Sequence, residues 1–328
     1  MLEYIIKRSL AMIPLLFLVS VLSFVIIQLP PGDYVESYRL ALEAQGGRLN
    51  EAQLAALSNR YGLNKPLYTQ YFRWIKGIVT KLDFGQSFRY DRPVMSVLGE
   101  RIPRTVGISL ASLLLTWIIA VPFAIFSALR QYSIWDYLLS FLNIIGLAVP
   151  GFLLALILLY LVFQTTGYSI TGLYSEAYQG ASWSISKLLD LFKNLWLPIV
   201  TLGISGTAGI MRVLRATLLD ELNKPYVTTA RAKGLPEWKV ILKYPVRIAI
   251  NPLVSTIGWL LPSLIGGEIV VSKVLNIPTT GPVLLNALMV QDMYLAGGIV
   301  MILSCLTVVG TLISDVLLAL TDPRIRYD

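Results

Sequence analysis

Asp220–Pro252, DELNKPYVTTARAKGLPEWKVILKYPVRIAINP, is a polar island between two strongly hydrophobic segments. It carries Lys224, Arg231, Lys233, Lys239, Lys243 and Arg247 against only Asp220, Glu221 and Glu237. Its spacing predicts two short helices. Asn223 can cap the first, with Pro225 in the opening turn, where a missing N–H is no loss. That helix runs from Tyr226 through Thr228, Thr229, Ala230, Arg231, Ala232 and Lys233. Gly234 supplies the left-handed residue that ends many helices, and Arg231 and Lys233 suit the negative end of the dipole. Leu235 follows, Pro236 opens the second helix and Pro245 closes it. The small residues Ala230, Ala232 and Gly234 leave room for the close approach of another protein. The cations alone would serve as orientation signals or bind anionic headgroups. Neither use requires the ordered Thr-Thr-Ala-Arg-Ala-Lys-Gly core, so the island reads as a docking unit.

The rest of the chain belongs in a bilayer. Hydrophobic residues make up 55% and charged residues 14% of its 328 positions, with a net charge of +8, whereas soluble domains are about 25% charged. The absence of histidine excludes His-based triads, HExxH zinc sites and imidazole relays. Cys305 lies in an apolar run and is read as a small hydrophobe. The basic balance sets orientation in a polytopic chain, and no nucleic acid is expected as a partner.

A spanning helix needs about 20 mostly apolar residues, and six segments qualify: 9–29, 105–129, 135–163, 195–219, 246–275 and 293–320. The first is too long for a signal h-region and runs into PPGD rather than a cleavage site, so it is read as a retained helix. If the spans alternate, Lys7 and Arg8, Arg130, the 220–247 cations, and Arg324 and Arg326 share one side, which places both termini and the island in the cytoplasm. The opposite side then receives 30–104, 164–194 and 276–292. Within the first, Leu54, Leu57 and Tyr61, then Tyr68, Tyr71, Phe72 and Ile75, recur at helical spacing on either side of Gly62–Pro66. FGQSFRYDRPV reads as extended structure or turn. The expected fold is an all-α polytopic membrane protein with six transmembrane helices: an N-terminal helix over 1–30, an extracytoplasmic loop subdomain over 31–104, and a five-helix core over 105–328.

YVTTARAKGL resembles the EAA loop of inner-membrane permeases of ABC importers, closest to the dipeptide, oligopeptide and nickel branch. The E-A-A positions fall on Thr228, Thr229 and Ala230, and the following glycine on Gly234. The end of the general pattern is replaced by Tyr244, Val246 and Arg247. PPGD after the first helix, YGLNKPLYTQYFRWI, LDFGQSFRYDRPV and the terminal DPRIRYD are similar to the first, B-type, permease of such systems. The resemblance implies a type I importer permease fold, with Pro225–Leu235 seated on an ATPase subunit. It implies as partners a second homologous permease, two P-loop ATPases and an extracytoplasmic substrate-binding protein, in the inner membrane of a bacterium or archaeon. The chain has no GxxxxGK[ST], so ATP and Mg²⁺ would be held by the partner ATPases and no cofactor by this chain. Where many peptide permeases carry an acidic residue and an aromatic before the fifth-to-sixth connection, this chain has Ser272, Lys273 and Leu275, with Glu268 a turn earlier. The segment LLNALMVQDMYLAGGIVMILSCLTVVGTLISDVLL resembles a sub-branch that includes oligosaccharide importers. The expected cargo is an oligopeptide or a short oligosaccharide, with a nickel complex as the alternative.

Intramembrane ionisable residues are functional candidates by default, which makes Glu268 and Ser272 candidates for the translocation path; snorkelling explains Lys273. Gly203, Gly206 and Gly209, and Gly297 and Gly298, suit close helix packing. A secondary transporter is the rival from another class. It should show internal repeats and ion-binding groups at the midplane, for which Glu268 alone is slight support.

Overall fold

The computed structural model describes residues 2–29, 32–47 and 50–321, without the side chains of 2–6, 8, 9, 41, 256–267 and 319–321. The helices are α1 (Leu2–Gln28), α2 (Tyr34–Glu43), α3 (Glu51–Tyr61) and α4 (Leu67–Lys81), then a hairpin of β1 (Gln86–Ser87) and β2 (Arg92–Pro93). Next come α5 (Val94–Gly99), α6 (Ile102–Leu129), α7 (Ile134–Ala148), α8 (Gly151–Thr166) and the long α9 (Ile185–Leu222). After α9 lie α10 (Pro225–Ala232), α11 (Glu237–Lys243), α12 (Pro245–Ala249), α13 (Asn251–Val274), α14 (Thr280–Met289) and α15 (Met293–Thr321). The chain divides into two compact units: Met1–Thr105 with Pro278–Leu306, and Val106–Ile277 with Thr307–Asp328.

Among the described residues, four helical stretches are long and apolar enough to cross a membrane: Leu10–Gln28, Val94–Leu129, Ile185–Leu222 and Met293–Leu318. α7 and α8 make a fifth if the bent pair is one span. The expected third span, 135–163, is therefore not one straight helix: it breaks into α7 and α8 at an angle of 102°. Pro150 causes the break. It has no N–H to continue the ladder, and it pushes Val149 out of the helical region, to ψ 116. The expected fifth span is helical only from Asn251, because Pro245–Ala249 forms a separate short helix. The middle side chains of α13 lie outside the described residues.

In the first unit, the sequence signals around 50–66 act as their chemistry requires. Asn50 and Gln53 form a reciprocal capping box at the start of α3, and Gly62 ends it at φ +70. The face of α4 that turns inward is Tyr71, Trp74 and Ile78, while Tyr68 and Phe72 are exposed. Those inward side chains pack with Phe24 and Ile27 of α1, Val97 and Leu98 of α5, and Leu295 and Ile299 of α15. FGQSFRYDRPV is the hairpin. Its loop is held by the buried Asp292, whose carboxylate accepts from Ser87 Oγ at 2.6 Å and from the Arg89 backbone N–H at 2.9 Å. Burial pushes the Asp292 carboxyl above its ordinary range, against the pull of the Arg89 and Ser87 hydrogen bonds.

α15 approaches this core through glycine. A Cβ on Gly297 would lie 3.0 Å from the Trp74 ring, and one on Gly298 3.0 Å from Val94 Cγ1. Gly298→Val should therefore overpack the joint and cost about 1–3 kcal/mol, read as a lower thermal midpoint in detergent. An unchanged midpoint would show that α15 can draw back without loss.

In the second unit, α6 packs on α9 at Gly203 and Gly206, where added Cβ atoms would lie 3.0 Å from Leu115 and 3.1 Å from Thr116. Thr116 Oγ1 donates to the Gly203 carbonyl at 2.9 Å. A Cβ on Gly209 would meet no heavy atom within 4 Å, so the stripe ends one step earlier than its spacing suggests. Between α6, α7, α8 and α9 lies a largely apolar cavity of about 570 Å³, into which Asn143 and Thr207 bring polar groups.

Candidate functional site

The island after α9 is a helix pair, but its first cap differs from expectation. Lys224, at ψ 146, occupies the N-cap of α10 with no side-chain hydrogen bond, and Pro225 is the first helical residue. Asn223 instead closes α9, its Nδ2 donating to the Leu219 carbonyl at 3.0 Å. α9 carries on to Leu222, so Asn223 meets an orphan carbonyl of the preceding helix before it can serve the next. Gly234 sits at φ +72, and Pro236 caps α11. Pro245 ends that helix and also opens α12.

The pair has its own small core. Val227 and Ala230 of α10 are buried against Val240 of α11, with Tyr226, Leu235 and Tyr244 packed around them. Ala230 therefore faces inward and lets α11 close on α10; it is not surface offered to a partner. Pro225, Thr228, Thr229, Arg231, Ala232, Lys233 and Gly234 are exposed, while Tyr226 and Leu235 are half-buried. Thr229 Oγ1 is satisfied by the Pro225 carbonyl at 2.9 Å, and Tyr226 donates its hydroxyl proton to Glu221. Arg231 reaches across the Gly234 turn to Glu237, with its Nη2 2.7 Å from Oε1 and its Nε 3.1 Å away. That hydrogen bonding holds the Glu237 carboxyl below its ordinary range. Both side chains are about half exposed, so the pair adds at most about 1 kcal/mol and serves to set the turn.

The helix pair is firmly tied to the second unit. Ile241 of α11 and Val246 and Ala249 of α12 are buried in one cluster with Leu214 and Leu218 of α9, Ala124 and Ala128 of α6, and Leu253 of α13. Force applied to the exposed face of α10 would reach three long helices through this cluster. Close packing leaves such an interior little room to yield locally.

Three features of the site escaped the sequence reading. Trp238 and Leu242 expose 62% and 54% of their surface on α11, a large apolar pair one turn apart beside the basic face. Their i, i+4 spacing, on the side opposite Val240 and Ile241, was the available signal. Second, Ile241 and Val246 anchor the unit, which only the fold reveals. Third, Asp136 and Arg215 pair, though they are far apart in sequence: Arg215 Nη2 donates to Asp136 Oδ2 at 2.8 Å and Nε to Oδ1 at 2.9 Å. Ser127 Oγ and the Tyr132 backbone N–H also donate to this carboxylate.

Glu268 and Ser272 share a face of α13, with Ser272 Oγ donating to Glu268 Oε1 at 3.1 Å. Both are buried, and neither lines the 570 Å³ cavity.

Comparison with known proteins gives this helix pair its setting. The profile for the binding-protein-dependent transport system inner membrane component matches residues 120–327, and that for the N-terminal part of such membrane components matches 1–111. The chain belongs to this family. It is 36% identical to the oligopeptide transport system permease protein AppB of Bacillus subtilis, with all of both chains covered. It is 30% identical to the oligopeptide permease OppB of Escherichia coli K12, again with both covered in full. Identity is 29% to the dipeptide permease DppB of Lactococcus lactis, covering 99% of this chain and all of that one. In fold, the chain is similar to a solved structure of the MetNI methionine ABC transporter: TM-score 0.52, 17% identity, 70% of this chain and 97% of that one. The chain is thus a multi-pass inner-membrane permease of an ABC importer, and its role is transport rather than catalysis.

Proposed function

We propose that this permease forms half of the pathway by which an ABC importer carries oligopeptides inward, driven through the exposed face of Pro225–Lys233. The observation that carries this reading is the burial of Ile241, Val246 and Ala249 in one cluster with α9, α6 and α13. A rigid pair joined to the long helices can pass on a push; a tethered loop cannot. In this reading both termini and α10–α12 are cytoplasmic and six spans cross the bilayer. A second homologous permease completes the pathway, and an extracytoplasmic binding protein delivers cargo. Two P-loop ATPases hold ATP and Mg²⁺, and their closure moves α10 and α11 together. α9 and α13 then tilt as rigid bodies, and the cavity beside Asn143 and Thr207 opens to the opposite side. Peptide is favoured as cargo because AppB, OppB and DppB are named as peptide permeases. None of these three names mentions an oligosaccharide or nickel.

The reading is tested in proteoliposomes holding the complete complex. Peptide uptake should require ATP inside and the binding protein outside, and should survive collapse of the ion gradients. Uptake that follows the gradient instead would point to the ion-coupled alternative, and competition by oligosaccharide but not peptide would reassign the cargo.

A further inference from the structure

The first unit contains a cleft of about 220 Å³ whose lining includes Arg60, Arg73, Tyr61, Trp74, Gln86 and Tyr294. Its polar groups are mostly committed. Arg60 pairs with Asp91 at 2.7 Å, and Gln86 donates to the same carboxylate at 2.9 Å. Asp83 accepts from the Gly85 backbone N–H at 2.8 Å, and Trp74 Nε1 donates to the Phe84 carbonyl at 3.1 Å. Of the two lining cations Arg73 is the uncommitted one: among the described residues it has neither an ion pair nor a hydrogen bond, and its guanidinium lies beside the Gly62 turn, 3.7 Å from where a Cβ would stand. The walls are glycine-built as well as aromatic. A Cβ on Gly85, at φ +90, would come within 3.1 Å of the Tyr294 ring, and one on Gly77 within 3.0 Å of the Asp83 carbonyl.

The loop as a whole is also basic. Residues 31–104 hold eleven Lys and Arg against seven Asp and Glu. Loops this long gain nothing in orientation from such an excess. A basic surface on the side where cargo arrives suits an acidic partner, and a planar guanidinium in a cleft that aromatic residues also line suits one carboxylate.

We infer that this cleft is a socket for an acidic side chain on the docking face of the extracytoplasmic binding protein, with Arg73 as the group that receives it. The inference rests on the importer reading above. The cleft is wide enough for an Asp or Glu carboxylate and its hydrogen-bonded waters, and Arg60, already neutralised by Asp91, holds the Tyr61 wall in place through its stacking at 5.6 Å.

The test uses the assembled transporter in lipid nanodiscs and the binding protein encoded with it. Arg73→Glu should weaken binding by about tenfold or more and flatten its salt dependence, as for other close charge pairs across interfaces. Arg73→Lys should lose less. Lys76→Glu makes the same charge change outside the cleft and should bind as wild type does. An Asp or Glu to Arg substitution on the binding protein that restores affinity for Arg73→Glu would identify the seated residue. Equal weakening by Lys76→Glu would replace the socket with a diffuse basic field. Unaltered docking by Arg73→Glu, with loss of uptake only for peptides bearing a free C-terminal carboxylate, would make cargo the ligand and overturn the proposal. Wild-type complex that takes up nothing with ATP and binding protein would remove the importer reading and this inference together. Active wild type with an unaffected Arg73→Glu would remove the socket alone.

Discussion

Asp136→Ala is expected to destabilise the second unit by about 3–5 kcal/mol, the cost of leaving a largely buried charge without its partner. Asp136 exposes only 4% of its side chain and Arg215 26%. The carboxylate joins the end of α6 through Ser127, the turn through the Tyr132 N–H, and α9 through both Nε and Nη2 of Arg215. Removing it leaves the guanidinium without its countercharge, with only Ser127 Oγ 2.9 Å from Nε, and also frees Tyr132, which sits at φ +63. Arg215→Ala should cost a similar amount, since it leaves the buried carboxylate with its Ser127 and Tyr132 donors but no countercharge. Because the two effects describe one interaction, the double variant should be far less than additive. Replacing both with apolar residues of similar volume should recover most of the stability. Chemical or thermal unfolding of the four proteins in the same detergent gives the coupling energy directly. Additive losses would mean that the pair acts as two independent surface charges, which its burial does not allow.

That pair also shows where sequence reasoning reached its limit. Rules that act within a few residues were legible. The break at Gly62–Pro66, the glycine stop at Gly234 and the extended or turning path of FGQSFRYDRPV all depend on neighbours in the chain. Asp136–Arg215 and Ser87–Asp292 depend on elements distant in the chain coming together, and nothing local marks either partner. The inward turn of Ala230 was equally hidden: the choice between partner face and core face of an eight-residue helix was made by Val240. The break at Val149–Pro150 was legible from the proline alone, but the long apolar run concealed it, because hydropathy reports length and says nothing of direction. Features built by several helices at once were least legible. The cavity beside Asn143 and Thr207 arises where four helices part, and Glu268, the most conspicuous charge in the sequence, is packed away from it.

Gly234→Val is expected to cut peptide uptake per ATP hydrolysed by about tenfold or more while leaving the helix bundle folded. Gly234 stands at φ +72, where an L side chain costs about 1–2 kcal/mol and a β-branched one more. A Cβ there would have no heavy atom within 4 Å, so steric conflict with the rest of the protein plays no part. The strain acts on the turn alone. Relaxing φ moves the end of α10 away from α11 and parts Arg231 from Glu237, while the cluster around Ile241, Leu214 and Leu218 keeps its packing. The exposed residues Thr228, Thr229, Arg231 and Ala232 would then meet a partner ATPase at a new angle, and its motion would be spent in a compliant joint. Asparagine visits the left-handed region more readily than other L residues, so Gly234→Asn should retain much of the coupling that valine loses. An alanine replacement should fall between them. The order Gly, Asn, Ala, Val in uptake per ATP is specific to backbone conformation; a loss that followed side-chain volume or polarity would place the cause at the partner contact instead. Full uptake per ATP in Gly234→Val, with thermal stability unchanged, would mean that the α10–α11 turn does not transmit the stroke.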